Sequence, residues 1–275
     1  MALWSDNPIL ARELSVRLSM RRQSPAQRRA ALTAVGVAIP LLYATVLWGA
    51  RDARIAADIR PLIVGGLETA LLALFAPILA ASAFTLEREK QTWNALLMTR
   101  LRPWQIVLGK YVGSLAPAAV VYACFLPLNA ALAARAGMSL PRFVAESIVL
   151  AATMCLYGAV GLFCSWACRR TQAANTAVTL AVLAMLAGPW LLLPLWVSVT
   201  SSAFNIDQFV PLWGNAFMVM TRLSESPGTG MTMADRSALF PLIIGTNVLL
   251  SAATTAFLLW VPAVRLADGP EEMVH

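Results

Sequence analysis

The chain carries four consecutive charged residues, Glu87–Lys90, between two long apolar segments. Side chains of both signs can form ion pairs and charge-assisted hydrogen bonds with another protein. Charged side chains are costly inside lipid, so we expect this stretch to lie outside the membrane and to face a soluble partner. The residues of this candidate site are Glu87, Arg88, Glu89, Lys90, Gln91, Thr92 and Trp93.

The sequence lacks the motifs of nucleotide binding and of histidine-dependent chemistry. No GxxxxGK[ST] phosphate loop is present, because Gly109–Lys110 is followed by Tyr111 and no glycine stands five residues before Gly109. HExxH and GxSxG are also absent, and the single histidine is His275. We therefore predict that the chain is not an enzyme by itself, and that it has no catalytic residue, metal site or bound cofactor.

Two acidic residues, Glu68 and Glu146, lie within apolar segments near their predicted outer ends. A carboxylate at membrane depth is a candidate for a transport path or gate, because its burial is costly. We expect both to stay hydrated. Asn129 is interpreted as a hydrogen-bonding residue between helices. Cys164 and Cys168 share a helix face, and we favour packing over a metal or redox pair.

The composition is that of an integral membrane protein. Of 275 residues, 59% are hydrophobic and 13% are charged, with a formal net charge of +7. Soluble domains carry roughly a quarter charged residues. The basic residues are dispersed between apolar segments, which is typical of membrane orientation and argues against nucleic-acid binding. The expected environment is therefore lipid.

Six apolar segments are long enough to span a bilayer, and only helices satisfy the backbone of isolated spans in lipid. The fold predicted is an all-α membrane protein with six transmembrane helices. We interpret the first segment as a retained helix, since it is longer than a signal-peptide core. The predicted spans are 30–50, 62–86, 107–134, 143–167, 175–199 and 239–261.

The distribution of Lys and Arg predicts that both termini are cytoplasmic, because most of these residues fall in the inner segments. Residues 1–29 form a cytoplasmic connecting segment, residues 30–267 the transmembrane domain and residues 268–275 a short tail. The long outer loop is predicted at 200–238. Within 7–22, leucines at every fourth position predict an amphipathic helix at the membrane surface, whose polar faces carry Arg12, Glu13 and Arg17.

The polar segment and its continuation resemble the signature of ABC type-2 exporter permeases, the membrane subunits of ATP-binding-cassette exporters. The residues that carry this resemblance are Glu87–Thr92, Thr99, Leu101, Pro103, Trp104, Ile106, Gly109 and Lys110. Asn7, Pro8, Arg12, Glu13 and Arg17 resemble the N-terminal connecting helix of the family. Three positions depart from the pattern: Gln91 stands where a glycine is frequent, and Arg102 and Gln105 replace a Ser cap and an acidic residue.

The resemblance implies that residues 87–103 contain a coupling helix that docks on a cytoplasmic ATP-binding-cassette ATPase. ATP and Mg would then be bound by that separate ATPase subunit. A second permease chain, identical or different, would complete the translocation path. The location implied is the cytoplasmic (inner) membrane of a bacterium.

Other functions remain open from the sequence alone. A non-transporting scaffold or assembly subunit would share the same spans. A membrane-embedded lipid enzyme would need clustered acids at the inner surface, where Glu87 and Glu89 are the candidates. An ATP-independent carrier is disfavoured, because the sequence has no internal repeat.

Overall fold

The structure, a computed structural model, describes residues 41–52, 55–56, 60–93, 98, 101–200 and 233–267. Within these ranges the chain is helical and contains no strand. A π-helical segment, Pro61–Glu68, leads directly into the first α-helix. The α-helices are α1 (Thr69–Ala81), α2 (Thr85–Glu89), α3 (Pro103–Arg135), α4 (Leu140–Ala167), α5 (Thr171–Thr200) and α6 (Met233–Ala267).

Five of the described helical stretches are long and apolar enough to cross a membrane. They correspond to predicted spans two to six, and they confirm the all-helical membrane fold. The first predicted span, 30–50, lies mostly outside the described residues, although residues 41–49 are helical. The connecting segment 1–29, most of the loop 200–238 and the tail 268–275 also lie outside them. At the end of that loop, α6 begins at Met233, earlier than predicted.

Helix α4 occupies the centre of the described bundle, where it contacts α1, α3, α5 and α6. These helices are held together by the packing of apolar side chains, which are buried where the helices face one another. Leu72 of α1, Ile106 of α3, Leu150 of α4 and Leu259 of α6 belong to one continuous core. A smaller cluster joins α1, α4 and α5 through Ala73, Tyr157 and Val178.

The contact between α1 and α4 depends on glycine. A Cβ atom placed on Gly161 would lie 2.2 Å from the carbonyl oxygen of Pro77 and 2.6 Å from its Cα atom. The backbones therefore touch directly, as they do where small residues line helix contacts in membranes. Gly161 is therefore a packing residue between α1 and α4.

Local sequence explains where α3 starts. Pro103 is its first residue, and its missing N–H is one that a helix start leaves unpaired in any case. The side chain of Gln105 accepts a hydrogen bond from the backbone N–H of Arg102 at 2.9 Å. Gln105 thereby supplies the third-position contact of a capping box, which offsets the absence of the Ser cap.

Candidate functional site

The short helix α2 is joined to α4 by a side chain that replaces its missing cap. Ser165 of α4 is fully buried, and its hydroxyl oxygen accepts hydrogen bonds from the backbone N–H groups of Phe84 and Thr85, at 2.8 and 3.2 Å. The first N–H groups of a helix have no partner within the helix. One residue of a spanning helix thus satisfies the start of α2.

Glu87 turns inward, toward α3. Its Oε1 atom lies 2.8 Å from Nζ of Lys110, whose side chain is completely buried. Nζ of Lys110 also donates to the carbonyl oxygen of Ala83 at 2.8 Å and lies 5.4 Å from the centre of the Phe84 ring. Lys110 therefore ties α3 both to the end of α1 and to α2, and Glu87 balances its charge.

Arg88 bridges to the end of α4. Its Nη1 atom donates to the carbonyl oxygens of Trp166 and Cys168, both at 2.8 Å. Carbonyl groups at a helix end have no partner within the helix, and the helix dipole favours a cation there. The guanidinium carbon also lies 5.1 Å from the centre of the Trp93 ring.

Glu89 bridges to the start of α5. Its Oε1 atom accepts a hydrogen bond from the backbone N–H of Thr171 at 2.7 Å, so that the carboxylate lies at the positive end of that helix. The hydroxyl of Thr171 donates to that of Thr85 at 3.1 Å. Through Glu87, Arg88 and Glu89, the turn after α1 thus contacts three spanning helices.

The helix does not continue through the polar segment. It ends at Glu89, and Gln91 adopts a left-handed φ of 56°. The N–H of Gln91 donates to Arg88 O at 3.1 Å, and the N–H of Thr92 donates to Glu87 O at 2.9 Å. These two bonds are those of a Schellman motif, which ends a helix and normally has glycine at the left-handed position. The helix is therefore interrupted at Gln91.

Around this break, some side chains are exposed and others pack against the core. Lys90, Gln91 and Thr92 are exposed. Trp93 is half-buried and meets Phe84 edge-to-face, with ring centres 5.8 Å apart. We refer to Thr85–Trp93 as the coupling turn. Its exposed tip is Lys90–Thr92, and the rest of its polar side chains are engaged within the chain.

Glu68 and Glu146 lie at the opposite end of α1 from the coupling turn. Both side chains are buried, at 1% and 2% exposure, so the expectation that they stay hydrated is wrong. Arg60 forms a buried ion pair with Glu146, and Asn129 of α3 donates a hydrogen bond to Glu68. The interpretation of Asn129 as an interhelical hydrogen-bonding residue is confirmed.

The remaining predicted residues add no further site. Arg12, Glu13 and Arg17 lie outside the described residues. The four cysteines carry free thiols, and no group of three or more metal-ligating side chains occurs in the described part of the chain. Sequence reasoning missed Ser165 and Thr171, and it named Lys110 among the residues of the family resemblance without predicting its contact with Glu87. The sequence feature that could have indicated this contact is the position of Lys110, which lies in the next helix after the acidic residues Glu87 and Glu89.

Comparison with known proteins identifies the family. No curated protein matches the chain. Residues 16–267 match the family described as ABC-2 family transporter protein, which covers the coupling turn and all five described spans. Members of this family are membrane components of transport systems and are not themselves catalytic. The chain belongs to the ABC-2 family of transporter membrane proteins.

Proposed function

We propose that this chain is the permease subunit of an ATP-binding-cassette exporter, coupled to a separate ATPase through residues 87–103. The observation that carries the proposal is the attachment of the coupling turn. Ser165, Lys110 and Thr171 belong to α4, α3 and α5, and each bonds to the turn. A force applied to this short turn would therefore reach three spanning helices at once.

These contacts indicate two different roles for the predicted residues. Glu87, Arg88 and Glu89 act as internal anchors, since each has a partner on a spanning helix. Lys90, Gln91 and Thr92 form the exposed tip that meets the ATPase, and Trp93 fixes the turn against the core. Switching a two-state gate fully requires about 5.5 kcal/mol of differential binding, so a rigid connection is needed.

The family and the orientation predicted for the spans support the rest of the proposed assembly. Cytoplasmic ATPase subunits bind ATP and Mg, and both termini of this chain lie on the same side. A second permease chain and membrane lipid cover the apolar helix faces, such as the one on α6 that exposes Leu249 and Phe257. Arg12, Glu13 and Arg17 would lie on the connecting helix beside the ATPase. The location is a bacterial inner membrane.

The experiment is co-purification with the partner ATPase, followed by measurement of ATPase stimulation in membranes. Charge reversal at Glu87 or Glu89 would break internal contacts, so docking is tested at Lys90. We expect Lys90→Glu to reduce stimulation several-fold without changing the yield of folded permease. Arg51→Glu is the matched control, since Arg51 is also exposed but lies before Arg60, at the other end of α1. Equal stimulation by wild type and Lys90→Glu would contradict docking at this tip.

A further inference from the structure

A buried pair of polar side chains joins the start of α1 to α3. Glu68 is the last residue of the π-helical segment and is 1% exposed, and Asn129 of α3 is 5% exposed. Nδ2 of Asn129 donates to Oε2 of Glu68. The two remaining oxygens, Oε1 of Glu68 and Oδ1 of Asn129, are buried and have no hydrogen-bond partner among the described residues. Each of these atoms is an acceptor, so neither can satisfy the other without a hydrogen between them.

The nearby cation is engaged through its two terminal nitrogens, while its Nε atom is buried and has no hydrogen-bond partner among the described residues. Arg60 is 3% exposed, and its Nη1 and Nη2 atoms donate to the two carboxylate oxygens of Glu146, the first at 3.3 Å. This two-point contact is the geometry in which guanidinium and carboxylate groups neutralise each other best. Arg60 is close enough to act on Glu68 electrostatically, but its hydrogen bonds to a carboxylate go to Glu146.

Among the residues that the structure describes, the other charged and titratable groups near Glu68 leave this balance in place. Tyr122 of α3 lies close enough to feel the charge of Glu68, and its hydroxyl donates to Ser147 O at 2.9 Å. Arg142, one turn before Glu146 on α4, acts on Glu146. An ionised Glu68 would therefore be a buried charge whose direct contact is one amide group, which is a costly arrangement in a low dielectric.

We propose that Glu68 and Asn129 form a proton-binding site. A single proton taken from water sits on Oε1 of Glu68 and is donated to Oδ1 of Asn129, while Nδ2 of Asn129 donates to Oε2 of Glu68. The carboxyl group becomes neutral, and the two hydrogen bonds of this acid–amide pair use both unpaired oxygens. Arg60 and Glu146 then remain as a neutral ion pair beside it. Glu68 is the last residue of the π-helical segment, and π-helical segments are frequent at functional sites.

Two other ligands could satisfy the same oxygens. A water molecule could donate to both, but the carboxylate would stay charged. A monovalent cation would balance the charge and bind the same atoms. The proton is favoured because it satisfies both acceptors and removes the charge in one step. It needs no further ligand atoms.

The test is infrared spectroscopy of the purified full-length chain in lipid nanodiscs, with glutamate labelled with carbon-13 at its side-chain carboxyl group. We expect a labelled band of a protonated carboxylic acid in the wild type, absent in Glu68→Gln and retained in Glu89→Gln, whose carboxylate lies at the other end of α1. Glu146→Gln should weaken the band, because Arg60 loses the carboxylate that neutralises it. Asn129→Ala should shift this band, because its hydrogen-bond partner is lost. Because the wild type and Asn129→Ala are compared directly, the test does not depend on the folding of Glu68→Gln.

Thermal unfolding provides a second readout. The amide of Glu68→Gln can form both hydrogen bonds with Asn129, so its midpoint should equal that of the wild type, whereas Glu68→Ala should unfold several degrees lower. Absence of the acid band in the wild type would overturn the proposal. So would stabilisation of the wild type, but not of Glu68→Gln, by sodium or potassium chloride relative to choline chloride, since that result identifies a cation.

Discussion

Gln91 and Gly137 occupy the same position in two Schellman motifs. Gln91 follows α2 with φ 56°, and Gly137 follows α3 with φ 68°. At the end of α3, the N–H groups of Gly137 and Met138 donate hydrogen bonds to Ala134 O and Ala133 O. The N–H groups of Gln91 and Thr92 make the same pattern of hydrogen bonds at the end of α2. Glycine adopts this conformation without steric cost, whereas glutamine does not. The glycine that the resemblance leads one to expect at position 91 would therefore relieve this strain.

The first prediction concerns this strain. Gln91→Gly should raise the free energy of unfolding by about 1 kcal/mol, because the left-handed conformation costs a residue with a Cβ atom roughly that amount. Gln91→Val should lower it, since a branched side chain fits the conformation less well. Thermal unfolding in detergent measures both. Gly137→Ala is the matched control and should be destabilising; a lower midpoint for Gln91→Gly would contradict the assignment.

The second prediction concerns the contact between α1 and α4. Gly161→Ala should sharply reduce the yield of folded protein, because its Cβ atom would meet the main chain of Pro77 at 2.2 Å and neither backbone can move alone. Size-exclusion chromatography after membrane extraction measures the folded fraction. Gly245→Ala in α6 is the control, since nothing lies within 4 Å of the added atom. Similar profiles for the two variants would show that α1 and α4 are not packed this closely.

The third prediction is an asymmetry in the ion pair of Glu87 and Lys110. Lys110 is completely buried, whereas the side chain of Glu87 is 17% exposed. Removing Glu87 leaves a buried ammonium group, so Glu87→Leu should cost about 3 kcal/mol or more. Lys110→Met leaves Glu87, whose Oε2 atom is also buried without a hydrogen-bond partner among the described residues, but this side chain is partly exposed and can turn toward water, so the variant should cost less. Chemical denaturation of both single variants and of the double variant measures the coupling energy between the two side chains. A larger loss of stability for Lys110→Met than for Glu87→Leu would contradict this prediction.

The fourth prediction concerns Ser165. Ser165→Ala should destabilise the protein by about 1–3 kcal/mol, because the buried N–H groups of Phe84 and Thr85 lose their acceptor. It should also weaken ATPase stimulation, since α2 is then held less firmly to α4. Ser147→Ala is the control, because that hydroxyl bonds only to Phe143 O of its own helix, at 2.9 Å. Equal melting temperatures for the two variants would show that Ser165 does not hold α2.

The spans were predictable because each is a long apolar run, and length and hydropathy are properties of the sequence alone. The start of α3 at Pro103 was predictable for a similar reason, since proline has a strong local preference. The charged segment at 87–90 was predicted to be a functional part of the chain from the same kind of local pattern, and that role stays a prediction.

The partners of these charges were not predictable. Glu87, Arg88 and Glu89 were expected to face another protein, but their partners lie 23, 78 and 82 positions along the chain, at Lys110, Trp166 and Thr171. Such contacts depend on how the spans pack, and no periodicity in the sequence specifies that. The break at Gln91 was hidden as well, because glutamine has no preference for a left-handed turn.

The length of α3 has a consequence for how lipids act on this protein. With 33 residues it is about 50 Å long, whereas the hydrocarbon region of a bilayer is roughly 30 Å thick. The helix must therefore tilt or protrude, and its tilt adjusts to membrane thickness. Lys110 lies about 10 Å from the start of this helix, so a change of tilt displaces the ammonium group that holds Glu87. We therefore expect the acyl-chain length of the surrounding lipid to change the position of the coupling turn.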